Sequence, residues 1–237
     1  MFGNTIFNHC GVCMKSRLQI ALRFFFFSIT LSVMGGCKPD KLTIEIYSSD
    51  VEIAALGQEV IDVPIKVEFS LLGDDEEGLL DRVITTSKEY LSPDSTYTKS
   101  KAMFGEQLVI QTKIPMGTSS ALSRSESRLA NLVVGPGISQ RFRIDFYKTK
   151  ALDDLARELG NINLMLGLEL PADESVFRVI SDSRVPVTVS GIAVFVSKKP
   201  HLVLQHQLDR RESIELVYKG GEASIYSEVP PLFEINM

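Results

Sequence analysis

Val63-Pro64-Ile65-Lys66-Val67-Glu68-Phe69-Ser70-Leu71 alternates without a break, apolar at every odd position. A period of two is what a strand with one buried face requires. Pro64, which has no N–H to give to a ladder, puts the segment at a strand start or a sheet edge. Upstream, Leu42-Thr43-Ile44-Glu45-Ile46 repeats the alternation. Downstream, Asp74-Asp75-Glu76-Glu77 leads into Leu79, Leu80, Val83, Ile84, Tyr90 and Leu91 at helical spacing, and four carboxylates at a helix start complement its dipole. Calcium is the sharper reading of that acidic run, but no EF-hand spacing of oxygens follows it.

The rest of the chain extends the pattern. Strands are expected near Ser95–Met103 and Glu106–Pro115, then Leu132–Val134, a Gly135-Pro136-Gly137 turn, and a strand through Phe142, Ile144 and Phe146. A short helix places Leu152, Leu155, Ala156 and Leu159 on one face and ends near Gly160. Further strands are read at Val176–Ser181, Val185–Val196, Leu202–Leu208, Ile214–Tyr218 and Ala223–Tyr226, with Gly220-Gly221 as a hairpin signal. Between Gly117 and Arg128 periodicity is lost and Ser and charge accumulate. The expected class is α+β, with dominantly antiparallel sheet and two short helices. The expected organisation is an N-terminal α+β lobe at 37–117, a polar linker or loop at 118–128, and a mostly-β lobe at 129–237.

Ahead of the first strand, Met14 opens a different sequence: MKSRLQIALR, then FFFFSITLSVM, then GGC. A basic segment, an apolar run of 11 residues (Phe24–Met34) and small residues form a secretory signal. The run is too short for hydrocarbon, which needs roughly 20 residues. Val33-Met34-Gly35-Gly36-Cys37 resembles the lipobox of bacterial prolipoproteins, departing from it at Met34, where that family usually carries Leu. The resemblance implies removal of residues 14–36, cleavage between Gly36 and Cys37, lipid on the Cys37 sulfur and an acylated new amino terminus. Lys38, where enteric bacteria use Asp for inner-membrane retention, resembles the outer-membrane class. Residues 1–13, with His9, Cys10 and Cys13, read as an upstream start-site extension; one C-x-x-C without a second pair is weak evidence for zinc. Met1 and Met14 both stand as starts. With Gly35-Gly36-Cys37, the strand Leu42–Ile46 and Tyr47-Ser48-Ser49-Asp50, the chain resembles enteric and prophage-borne lipoproteins with a domain of uncharacterised function, a resemblance confined to the N-terminal quarter.

Residues 1–36 carry three basic and no acidic residues, so their loss moves the net charge from −5 to −8. That balance argues against a nucleic-acid footprint and against purely electrostatic adhesion to anionic lipid. With Cys37 lipidated, no cysteine remains for a disulfide. There is no G-x-S-x-G, H-E-x-x-H, P-loop or G-x-G-x-x-G. His201 and His206 fall on opposite faces of one strand, which keeps them from sharing a metal or substrate. Ser119, Ser120, Ser123, Ser125 and Ser127 lack an evident base. Glu45, Asp50 and Glu52 are candidate acid–base carboxylates with no fixed separation. The expectation is therefore no catalytic residue, no metal and no cofactor. The chain reads as a lipid-anchored, periplasm-facing protein of the outer membrane, the inner membrane being the lesser reading, and its partner is another envelope protein. Alternatives are an envelope hydrolase with a Ser or carboxylate site, or a phage- or plasmid-borne surface-exclusion lipoprotein. A pocket of clustered Asp, Glu, Ser or His would favour the hydrolase.

Overall fold

The alternating segment is β2 (Ile61–Leu72), and it pairs along its length with β4 (Gly105–Gly117), from Ile61↔Met116 to Leu72↔Gly105. The computed structural model describes residues 41–57, 59–72, 78–102, 105–123, 129–136, 141–162, 174–219 and 233–237. All lie within one compact unit, Cys37–Met237. The other strands are β1 (Lys41–Tyr47), β3 (Thr96–Ala102), β5 (Ala130–Pro136), β6 (Phe142–Lys148), β7 (Glu174–Ile180), β8 (Val187–Val196), β9 (Lys199–Leu208), β10 (Ser213–Lys219) and β11 (Phe233–Asn236). The helices are α1 (Ser48–Ala55), α2 (Leu79–Ser87), α3 (Ser119–Leu122) and α4 (Lys150–Ile162).

The strands run β10-β7-β1-β2-β4-β5-β6-β11-β8, and β8 returns to β10 through Val217↔Phe195, closing a nine-strand barrel. β3 and β9 stand outside the ring, on β4 and β8 respectively. Register puts Leu42, Ile44, Val67, Ile65, Ile110, Phe177 and Leu216 on one face. All are buried. Phe177 sits at the centre of an aromatic cluster, its ring 5.7 Å from Tyr218, 5.8 Å from Phe233 and 6.3 Å from Phe146. The outward face carries ion pairs, among them Glu45–Arg178 (3.2 Å), Lys66–Glu68 (2.8 Å) and Arg143–Asp145 (2.9 Å). Apolar inside and charged outside is the reverse of what a membrane-spanning barrel needs. Among the described residues no helix is long and apolar enough to cross a membrane.

Two seams in the ring have few pairs. β4 pairs with β3 over residues 105–111 and with β5 only at Met116↔Leu132 and Gly117↔Val133, leaving its middle without a strand partner on that side. Leu155 and Leu159 of α4 and Tyr90 and Leu91 after α2 meet Phe69, Ile114, Leu129 and Ala130 there around a cavity of about 30 Å³, so helices cover the gap. That volume holds about one water. The second seam is the single pair between β8 and β10.

Direction explains the second seam. Of the nine neighbour pairs, only β1–β7 and β4–β5 are parallel, so seven are antiparallel. With an odd number of reversals the headings cannot match around the ring unless one strand changes course. β8 does so at Ala193, whose φ of 49° is left-handed. The register with β9 skips Ala193 and Leu202 and holds on both sides, so the two-stranded ribbon bends as a unit. Its turn, Ser197-Lys198, has φ of 49° and 66°, the signature of a type I′ hairpin.

The architecture corrects the α+β expectation: the described residues are mostly strand, closed into a barrel, and include four short helices where two were expected. Alternation reports which face of a strand is buried, and it is the same for an open sheet and a closed one. α1 and α3, at eight and four residues, are too short to show a helical period. The expected helix at 79–91 and the one around 152–159 correspond to α2 and α4. Strands from both sides of 118–128 share the one ring, and Ser119–Leu122 within that stretch is helical. Asp74–Glu77, Gly137, Gly220-Gly221 and the strand expected at Ala223–Tyr226 lie outside the described residues.

Candidate functional site

β1 and β7 run parallel, from Lys41↔Glu174 to Tyr47↔Ile180, and so finish at the same end of the barrel. Beyond that far end the chain of β1 turns into α1 and the chain of β7 reaches Asp182. The N-cap of α1, Tyr47, offers no side-chain bond. Asp182 supplies it from 133 residues away: its Oδ1 accepts from the Ser49 backbone N–H (2.9 Å) and the Ser48 hydroxyl (2.8 Å), and its Oδ2 accepts from the Ser49 hydroxyl (2.5 Å). The Asp182 N–H donates back to Ser48 Oγ (3.2 Å). A carboxylate at a helix N-terminus is favoured by the dipole and by the unpaired amides there.

Burial alone pushes the Asp182 carboxyl up, but the hydrogen bonds from Ser49 and Ser48 outweigh it and hold the group below its ordinary range. Asp50, one residue on, is moved the other way, first by burial and then by the charge of Asp182. The carboxylates brought together are therefore Asp50 and Asp182. Glu45 is engaged by Arg178 on the outer wall (3.2 Å), and Glu52 is exposed. A depressed carboxylate is a weak base, so the hydroxyls of Ser48 and Ser49 gain little nucleophilicity from Asp182. The arrangement fastens a helix to a strand.

The remaining candidates do not converge either. His206 is exposed and opposite Val189; His201 is half-buried and opposite Val194, on the other side of the bend in β9. No group of three or more His, Cys, Asp or Glu suited to a metal occurs among the described residues. Ser119 and Ser120 belong to α3, where Thr118 Oγ1 accepts from the Ala121 N–H (3.3 Å) and approaches Ser120 Oγ (3.2 Å). The Ser123 hydroxyl donates to the Ser120 carbonyl (2.9 Å). A cleft of about 400 Å³ opens beside α3, lined by Ala55, Thr118, Val134, Pro136, Arg141 and Phe142, and Arg141 is paired with Glu234 (3.3 Å). Gly36, Cys37, Ser125 and Ser127 lie outside the described residues.

Asp182 is the residue that sequence reasoning passes over. Its only trace is a polar Ser181-Asp182-Ser183 step after an apolar strand, which reads as a turn until Ser48 and Ser49 are known to be next to it. No family model, no curated protein and no solved structure matches this chain.

Proposed function

We propose that this chain is a lipid-anchored envelope protein of bacteria, carried on Cys37 and presenting its barrel to the periplasm, where it binds another envelope protein. The observation that carries the reading is the order of the first segments. Basic residues Lys15, Arg17 and Arg23, the apolar run Phe24–Met34 and the small pair Gly35-Gly36 stand in that sequence directly before Cys37. Two or three acyl chains on that residue would make attachment stable where one would be marginal. Lys38 supports the outer membrane as the address. A barrel with a filled interior and a charged exterior suits a water-facing body on such an anchor. Of the serines and carboxylates weighed for a hydrolase, Ser120 and Ser123 are engaged in local hydrogen bonds around α3 and Glu45 in an ion pair, which supports a binding role over a catalytic one.

Mass spectrometry of the protein extracted from membranes tests the anchor. A new amino terminus at Cys37 with acyl mass on it is expected, and a retained leader or a bare thiol overturns the reading. In-cell cross-linking tests the partner. The native chain and Cys37→Ala are expected to yield different sets of neighbours, because one is confined to a membrane and the other is not.

A further inference from the structure

We infer that the bend of the β8–β9 ribbon is a second contact with the membrane, seated on the same bilayer surface that holds Cys37; this rests on the anchor proposed above. The ribbon carries the most exposed large apolar side chains described. Leu202 is 81% exposed, Val203 73% and Ile192 50%. Neighbouring residues of a strand point to opposite faces, so exposure of both Leu202 and Val203 means that β9 is bare on both sides there. Val203 and its cross-strand partner Ile192 share one face and Leu202 lies on the other, so the bend presents apolar groups on both sides, unusual for a ribbon that meets only water.

Position names what covers them. Lys41, the first residue of β1, is opposite Glu174, and Glu174 is opposite Lys219 at the end of β10. The seam pair Val217↔Phe195 lies two residues inside that row. Counting two residues out along each strand, forward on β10 and back on β8, puts Lys219 level with Ala193, which is next to Ile192. Ile192 pairs with Val203, and Ala193 and Leu202 are the two residues that the β8–β9 register skips. The Lys219 ammonium stands 5.2 Å from the centre of the Phe195 ring, which fixes the two strands side by side. The bend thus protrudes at the barrel end where β1 begins. Only residues 38–40 stand between Cys37 and Lys41, a reach of at most about 14 Å from Cys37. A bilayer holding the acyl chains is therefore within range of Leu202 and Val203.

Charge agrees with a phospholipid surface. From Ser183 to Gln207 there is no Asp or Glu, and the only charges are Arg184, Lys198 and Lys199. In a chain of net −5 this is its longest stretch of strand free of carboxylates, and Lys41 and Lys219 lie at the same end. Glu174, paired with Lys41 at 3.5 Å, and Glu68, opposite Lys41 on β2, are the opposing charges in that row. Acidity of the whole chain disfavours adhesion by charge alone; a tether and apolar side chains with a few cations around them do not depend on it.

The chain has no Trp, so one can be introduced as a unique reporter. Val203→Trp and, separately, Leu202→Trp place an indole at the bend. Leu56→Trp places one at the far end, where Leu56 follows α1 and is 67% exposed. Each full-length protein is purified from membranes and reconstituted in vesicles of phosphatidylcholine and phosphatidylglycerol, with and without bromine on the acyl chains. Quenching of at least about two-fold by brominated lipid is expected at the bend and none at Leu56→Trp. Equal quenching at the two ends, or none at the bend, overturns the inference. So does emission from the bend that shifts with protein concentration in lipid-free detergent, because a second copy then covers β9. Mass spectra of the same samples separate the two failures. Acylated Cys37 with an unquenched bend leaves the anchor standing, whereas unmodified Cys37 removes the anchor and this contact together.

Discussion

The barrel is weak in two places, and the two are treated differently. Between β4 and β5 only two residue pairs join the strands, and α4 and the segment after α2 close the gap with Leu155, Leu159, Tyr90 and Leu91. Between β8 and β10 a single pair joins them, and what lies around it is Lys219 over Phe195 with Ile192, Leu202 and Val203 bare nearby. One seam replaces missing ladder bonds with buried apolar area, which is worth about 25 cal/mol per Å². The other leaves its apolar groups in solvent. The contrast teaches that ring closure at β4–β5 is a matter of folding, while the surface at β8–β10 is free for something outside the chain.

The sharpest way to break the comparison is to cut the covered seam. Leu155→Ala is expected to lower unfolding free energy by about 2–5 kcal/mol, because a fully packed leucine leaves a cavity the barrel wall cannot collapse into. Urea titration measures it, and a loss below about 1 kcal/mol would mean that α4 is not needed for closure. Next is the far-end clamp. Asp182→Ala is expected to cost about 1 kcal/mol by the same measurement, as caps of this kind do. Its pH behaviour has a definite sign. The folded carboxyl lies below its ordinary value, so its contribution is present above about pH 4 and is lost as pH falls through the folded value. Asp50 is raised in the fold, so its ionised form costs stability at neutral pH. Asp50→Asn is expected to raise unfolding free energy at pH 7 and to lose that advantage in acid. A gain that persists at pH 3 would contradict this assignment.

Smaller effects sharpen the bare seam. Lys219→Met removes a cation from the Phe195 ring at a largely exposed site and is expected to cost about 0.5–1 kcal/mol. Leu202→Ser and Val203→Ser are expected to change stability by less than about 0.5 kcal/mol, since neither side chain packs in the folded protein. A loss of 2 kcal/mol or more at Val203 would show that the bend contributes to the core after all, and the difference between the seams would disappear.

What was legible in the sequence follows from this geometry. Alternation marked β1, β2 and β4, a β-rich stretch marked β7 and β10, and 3.6-residue spacing marked α2 and α4. Closure was not legible. It depends on β1 pairing with β7 more than 130 residues later and on a left-handed Ala193, a residue type that seldom takes that conformation. The hairpin at Ser197-Lys198 was hidden for the same reason, since the turn lacks the Gly or Asn that usually betrays a type I′ geometry. β11 escaped because four residues give too few alternations to count. Of the far-end cluster, Asp50 could be nominated from the sequence, whereas Asp182 could not.

β11 has a consequence for how the barrel is made. It lies between β6 and β8, and its Phe233 reaches the aromatic cluster around Phe177. A chain delivered amino-end first cannot seal its wall until these late residues arrive, so β6 and β8 each wait with one edge unpaired. Long-range pairing of this kind makes assembly slow and leaves exposed edges open to misassociation. Such a protein would lean on holding factors while it folds, and a stop codon just before Phe233 would leave the gap between β6 and β8 unsealed.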